Sequence, residues 1–396
     1  MDIKSKFSPS NLYIYFLTLY LILSVVNWLP VISIGLIRGV KYILFIFIFF
    51  YELKYHSFKF PSFYLSPIGL LLVLMSMSFG LYLSPNISSF VDILLPFLII
   101  WIFNFKKNTY YKVILNASLI IAFICFLSII SNFTGIYNIE PNGPWSSTFG
   151  KAAFGGYSTG YSNSLFLFVP FLVFWHRKEN KGFFSKETFA IITIIIAQYI
   201  AGGRAGLLAS LLIFFLGYKF SIVYKLIIVI MLIPLIQSEE FLIQMRIVNV
   251  YGDEIDEDRI SSGRIELGTY YLDKFYERPF FGYGFGEKEE IDANHDVHIV
   301  WLKNAINGGF FYVLFLLGIF LSIFITVLLN SFFLSKEEMW LFLSIFFISF
   351  LITFLEPNYL IGSVQGEFVY WLIISLMMKK QIDNNVLDEN SLVYEG

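Results

Sequence analysis

The feature that constrains this chain most is the recurrence of apolar runs about as long as a bilayer is thick. A hydrocarbon core of about 30 Å is crossed by roughly 20 apolar residues in a helix, or somewhat fewer where interfacial aromatics help at the ends. Twelve runs qualify, near residues 11–29, 32–51, 64–83, 87–104, 111–133, 160–176, 187–202, 204–218, 221–237, 299–329, 338–355 and 363–378. Composition agrees: of 396 residues, 57% are hydrophobic and 14% charged, and 47 Phe and 25 Tyr exceed what a soluble globule carries. The chain therefore reads as an all-α polytopic membrane protein with about twelve transmembrane helices.

The basic residues test that count independently, because an error of one span would scramble their alternation between loops. With the N-terminus inside, the inner connections hold Lys54 and Lys59, then Lys106, Lys107 and Lys112, then Arg177, Lys178, Lys181 and Lys186, then Lys219 and Lys225, and finally Lys336. Lys4, Lys6, Lys379 and Lys380 at the termini fall on the same side, which makes both termini cytoplasmic. The short outer connections are nearly free of Lys and Arg. The exceptions are Arg38, Lys41, Lys151 and Arg204. Residues 1–10 are too short and polar for the apolar core of a signal peptide, so the first run is expected to stay as a spanning helix.

These spans divide the chain into residues 1–237 with nine helices and an outer loop at 134–159, a large outer loop at 238–298, three further helices in 299–380, and a cytoplasmic tail at 381–396. The 134–159 loop is rich in Gly, Ser, Pro and Asn, which marks turns rather than helix. The 238–298 loop holds about half of the acidic residues. Within it, IELGTYYLDKFYE (265–277) sets Ile265, Tyr270 or Tyr271, Leu272 and Phe275 at helical spacing, the pattern of a half-buried amphipathic helix. The serines of SSGR (261–264) offer an N-cap, and Pro279 marks the end.

Charge and cysteine content exclude several function classes. The net charge of −2 gives no basic field for a nucleic acid. The single cysteine, Cys125, lies in an apolar run and excludes an intramolecular disulfide. What matters is where individual charges sit. Arg38, Arg204, Arg259 and Arg264, with Lys41 and Lys151, are all assigned to the outer side. An arginine there either snorkels or pairs with an acid of the 238–298 loop, or it joins a phosphate site, since its planar fork pairs bidentately with phosphate and stays charged in a cleft. For Arg204, in AQYIAGGRAGLLAS (197–210), the bias against outer cations and the flanking glycines favour the second role. A guanidinium at mid-bilayer costs about 2.5–3.5 kcal/mol on insertion scales, and a hairpin with its bend outside removes most of that cost.

His295 and His298 stand just before the tenth run, where a histidine can serve as a general base. With Asp292 and Asp296 they also have the chemistry for a divalent metal, although HxxH alone brings no third ligand set. His298 abuts the helix and faces the arginine side; a hydrogen-bonding role at the interface suits His295. Gly282, Gly284 and Gly286 in RPFFGYGFGE (278–287) lack the flanking strand and helix of a dinucleotide fingerprint, so they read as a tight turn that folds the loop back over the membrane, with no NAD or ATP.

Taken in order, SGRIELGTYYLDKFYERPFFGYGFG (262–286) and HIVWLKNAINGGFFY (298–312) resemble the core of the bacterial O-antigen ligase and O-antigen or capsule polymerase superfamily. In that family a Ser-Gly-Arg opens an amphipathic loop helix, a Pro-x-x-Gly-x-Gly turn follows, and a histidine precedes a helix with a glycine eleven residues on, the spacing of His298 to Gly309 here. GGRAG (202–206) resembles the family's arginine on a hairpin between two short spans. Many family members carry Asn, Ser or Gln after the histidine; this chain has Ile299, and His295 is the one followed by a polar residue, Asp296. The spacing to Gly309 selects His298.

The resemblance implies a GT-C-like fold and an inverting, metal-independent glycosyltransferase needing no cofactor. It would act at the outer, periplasmic face of the inner membrane on an undecaprenyl-diphosphate-linked glycan donor and a glycan acceptor, with a chain-length regulator as a further partner. Arg204, Arg264, Arg38 and Arg259 would then hold the diphosphate, with His295, Lys151 and Lys41 as weaker contacts, and His298 would act on the acceptor hydroxyl. Gly282, Gly284 and Gly309 would be structural. Within the superfamily a polymerase joins repeat units on the carrier, and a ligase moves the finished glycan to lipid A-core. Richness in Phe, Ile, Tyr, Asn and Lys with little Ala suits an A+T-rich surface-polysaccharide gene cluster, which favours the polymerase. A flippase or secondary transporter is the rival from another class, but such proteins usually carry ionisable groups at mid-membrane and related halves, which this sequence lacks.

Overall fold

The computed structural model describes residues 9–26, 34–55, 99–100, 107–134, 158–201, 203–218, 264–284, 299–355, 360 and 368–378. Among these residues the protein is all-α, with eleven α-helices, one 3-10 turn and no strand. The helices are α1 (Pro9–Val25), α2 (Ile34–Tyr55), α3 (Lys107–Thr134), α4 (Ser158–Phe166), α5 (Phe168–Lys178), α6 (Lys186–Ala201), α7 (Arg204–Gly217), α8 (Arg264–Glu277), α9 (Val300–Leu329), α10 (Lys336–Ile352) and α11 (Phe368–Met378). Among the described residues two stretches, Asn108–Ser131 and Val300–Leu329, are long and apolar enough to cross a membrane. The expected spans at 64–83 and 221–237, and nearly all of 87–104, lie outside the described residues, as does most of both long loops.

Two expected spans are interrupted. The run at 160–176 forms two helices, α4 and α5, that meet at Leu167. Pro170 supplies the reason, since its ring nitrogen cannot donate to the carbonyl of Phe166 one turn back. The run at 299–329 is broken at Gly309, whose φ of 73° and ψ of −176° leave helical space altogether. By contrast α10 begins on a full capping box, in which the Ser335 hydroxyl accepts from the Glu338 amide at 3.1 Å and the Glu338 carboxylate accepts from the Ser335 amide at 2.8 Å.

Helix α5 lies at the centre, with Phe168, Phe171 and Phe174 fully buried, and packs on α6, α7 and α10. Helix α11 is buried on every side, as an all-apolar helix must be when other helices surround it. Helix α3 packs on α1 and α6, and α4 on α6 and α7.

Polar contacts gather alternate helix ends at one pole of the bundle. Tyr13 of α1 and Tyr110 of α3 both donate to the Glu52 carboxylate near the end of α2, Tyr110 at 2.7 Å. Tyr111 donates to Glu338 of α10 at 2.5 Å. Arg177 at the end of α5 donates to the Gly217 carbonyl at the end of α7 at 3.0 Å and lies 4.8 Å from the Trp340 ring. Asn330 after α9 donates to the Met378 carbonyl at the end of α11 at 2.9 Å. The starts of α1, α3 and α10 thus meet the ends of α2, α5, α7, α9 and α11. This is also the pole that holds Lys54, Lys112, Lys178 and Lys336.

Candidate functional site

The opposite pole holds the start of α7. Helix α6 ends at Ala201 and α7 begins at Arg204 behind an extended Gly203 N-cap, so the arginine run is a hairpin of two helices, not one helix with a charge at its centre. A short hydrogen-bonded chain holds the turn. The Gln198 amide donates to the Ser162 carbonyl at 2.7 Å, and the Ser162 hydroxyl donates to the Gly203 carbonyl at 2.7 Å. Gly206 lies directly on the Ser162 backbone, where any Cβ would collide. Glycine there lets α4 and α7 approach to backbone contact.

Arg204 is half-buried and occupies the first turn of α7, where the helix dipole is positive. The positive end of a helix is where an anion is stabilised, and Arg204 adds a cation to that turn. Among the described residues, the side-chain carbonyl oxygens of Asn163 on α4 and Gln198 on α6 are buried without a hydrogen-bond partner. Each unmatched acceptor costs about 1–3 kcal/mol.

At the same pole α9 starts. The Val300 amide donates to the Thr353 carbonyl at 3.1 Å and the Trp301 indole to the Thr353 hydroxyl at 2.7 Å, tying the start of α9 to the end of α10. Gly309 follows nine residues after Val300, about 14 Å along the helix. The turn after α8 docks into that break. The Phe310 amide donates to the Pro279 carbonyl at 2.7 Å, the Tyr283 amide to the Ile306 carbonyl at 2.8 Å, and the Gly284 amide to the Asn307 carbonyl at 2.7 Å. Gly282 and Gly284 have φ of 66° and 91°, and Gly309 of 73°, all in the left-handed half that glycine alone enters readily. A Cβ on Gly309 would strike the Phe280 carbonyl, and one on Gly282 would strike Ile306 and Asn307. The glycines at 282–284 and at 309 are therefore two halves of one clasp.

Helix α8 begins at Arg264 and ends at Glu277, two residues before Pro279. Tyr271, rather than Tyr270, is its buried aromatic. Leu272, expected on the buried side, is exposed instead, because α8 touches the bundle through one narrow line about Tyr271. At its end Lys274 pairs with Glu277 at 2.8 Å and the Tyr283 hydroxyl donates to Glu277 at 2.5 Å, and these two partners hold the Glu277 carboxyl below its ordinary range.

Of the residues singled out from sequence, Gly282, Gly284 and Gly309 are brought into contact, and Arg204 shares their pole of the bundle. Arg38 lies in the first turns of α2 and Arg264 opens α8; their side chains, with Arg259, His295, His298 and Lys151, lie outside the described residues, as do the serines of SSGR. Lys41 is buried within α2 rather than displayed at a surface. Gln198, Ser162 and Asn163 went unnoticed in the sequence. The one available signal was that each is a polar residue inside an apolar run, where such residues are costly and serve a purpose. No family model matches this chain, and no curated protein matches it.

Proposed function

We propose that the chain is a membrane glycosyltransferase of the O-antigen or capsule polymerase type, acting at the outer face of a bacterial inner membrane with both termini cytoplasmic. The observation that carries this reading is the clasp: the Pro279–Gly284 turn and the Gly309 break, the two separated motifs of the resemblance, interlock at the pole where Arg204 opens α7. In the proposed reaction an acceptor sugar hydroxyl attacks the anomeric carbon of the donor from the face opposite the diphosphate. A glycosidic C–O bond forms, the C–O bond to the diphosphate breaks, and configuration inverts. His298 takes the hydroxyl proton. The polyprenyl diphosphate leaves with growing negative charge, which Arg204 and Arg264 stabilise as fixed cations needing no reorganisation.

Arg204→Ala, Arg264→Ala and His298→Ala should each abolish extension of a lipid-linked repeat by purified protein in detergent, with no ion gradient, while the protein still inserts. Near-normal activity in two of the three overturns the assignment. Disrupting the gene separates the two reaction types: surface lipopolysaccharide capped by a single repeat marks a polymerase, whereas long chains stranded on the lipid carrier mark a ligase.

A further inference from the structure

The Pro279 turn carries an apolar face that neither the clasp nor the proposed chemistry uses. Phe280 and Phe281 are 57% and 56% exposed, and both rings pack against Phe311, at 5.9 and 5.8 Å between centroids. Upstream, Leu272 and Tyr276 are 45% and 71% exposed and stand four residues apart, so one apolar line runs along α8 into the turn. Downstream, Phe311 heads a stripe of exposed residues on α9 that continues through Leu314, Leu321, Ile325 and Leu328. Helix α9 is long and apolar enough to span a membrane, and an exposed apolar stripe along a spanning helix faces lipid.

We infer that α8 and the Pro279 turn rest on the outer leaflet, with Leu272, Tyr276, Phe280 and Phe281 set into the acyl chains of the bilayer. Three observations select phospholipid as the occupant. The exposed line is continuous with the lipid-facing stripe of α9 through the Phe280–Phe311 and Phe281–Phe311 contacts. Four backbone groups of the turn are matched internally, the Gly282, Tyr283 and Gly284 amides and the Pro279 carbonyl, which lowers the cost of irregular backbone at membrane depth. Charges form a rim beside the apolar line: Lys274 pairs with Glu277, and Arg278 stacks 4.5 Å from the Tyr283 ring, an arrangement suited to the headgroup level. Lipid contact also explains why Leu272 sits outside the protein core. The clasp would then hold α8 at a set height over the pole that carries Arg204.

The bilayer contact rests on the membrane reading alone and stands apart from the glycosyl-transfer reading. Spin labels at Tyr276→Cys, Phe281→Cys, Asp273→Cys and Leu321→Cys, each in a Cys125→Ala and separately in a Cys125→Ser background, test it in the full chain in phospholipid nanodiscs. Labels at 276, 281 and 321 should collide with dissolved oxygen several-fold more than with an aqueous nickel chelate, and the label at 273 should do the reverse. Nickel preference at 276 and 281 with oxygen preference at 321 overturns the inference and leaves the spanning helix intact. Immobilisation at 281 only on adding undecaprenyl diphosphate would assign the face to a substrate tail. Dipolar broadening lost at one chain per disc would assign it to a second copy. Either result overturns the bilayer contact.

Discussion

Gly309 shows how one residue joins two distant segments. Its φ of 73° and ψ of −176° fall in a region that is essentially confined to glycine, and its Cα faces the Phe280 carbonyl with no room for a methyl group. Gly309→Ala should cost about 1–3 kcal/mol from backbone conformation alone. The expected outcome is faster hydrogen exchange at the Tyr283 and Gly284 amides, which donate across the clasp, with exchange in α3 unchanged. Unaltered protection at both amides would show that the turn holds its place without the break. Gly206 is a glycine for the same reason, but at a helix–helix crossing: its neighbour is the Ser162 backbone. Arg204 needs no such packing argument. Its meaning comes from the sign of the field at the start of α7, where a cation is the wrong choice for helix stability and the right one for an anion.

Among the elements, α10 displays the cleanest division of labour. Ser335 and Glu338 cap each other, and the second carboxylate oxygen of Glu338 also accepts from Tyr111 of α3. Ser335→Ala should cost about 1 kcal/mol, the usual loss for an N-cap. Glu338→Ala should cost more, because it removes half of the cap and the link to α3 together. Thermal unfolding in detergent, followed by circular dichroism, checks the order of the two; equal midpoints would mean that the Tyr111 contact adds nothing. The end of α8 ahead of Pro279 was legible in the sequence. The break between α4 and α5 was not read in the sequence, where 160–176 stood as one run. Pro170 flags a weak point, but a proline near the middle of a span either kinks or divides it, and the neighbouring helices choose.

For the whole molecule, the ends of α1, α2 and α3 are tied through Glu52, a buried carboxylate shared by two tyrosine hydroxyls. Glu52→Leu removes that shared acceptor at a cost of about 1–3 kcal/mol, whereas Glu52→Gln keeps an acceptor oxygen in place. Hydrogen exchange at the starts of α1 and α3 should rise in the leucine variant and stay near wild type in the glutamine variant, with the clasp unaffected in both. A rise at the clasp would mean that the two poles are coupled. The apolar runs determined, without any structure, that the described residues are helical and where most of their helices lie, because that signal is local and sums along the chain. Tertiary structure alone decided that Gly282, Gly284 and Gly309 form one clasp, that Gln198 and Ser162 hold the Arg204 turn, and that Leu272 faces outward. The physical reason is that a hydrogen bond across the bundle, or a glycine pressed on a neighbouring backbone, depends on the segment opposite, and the identity of that segment is not written in the residues on either side.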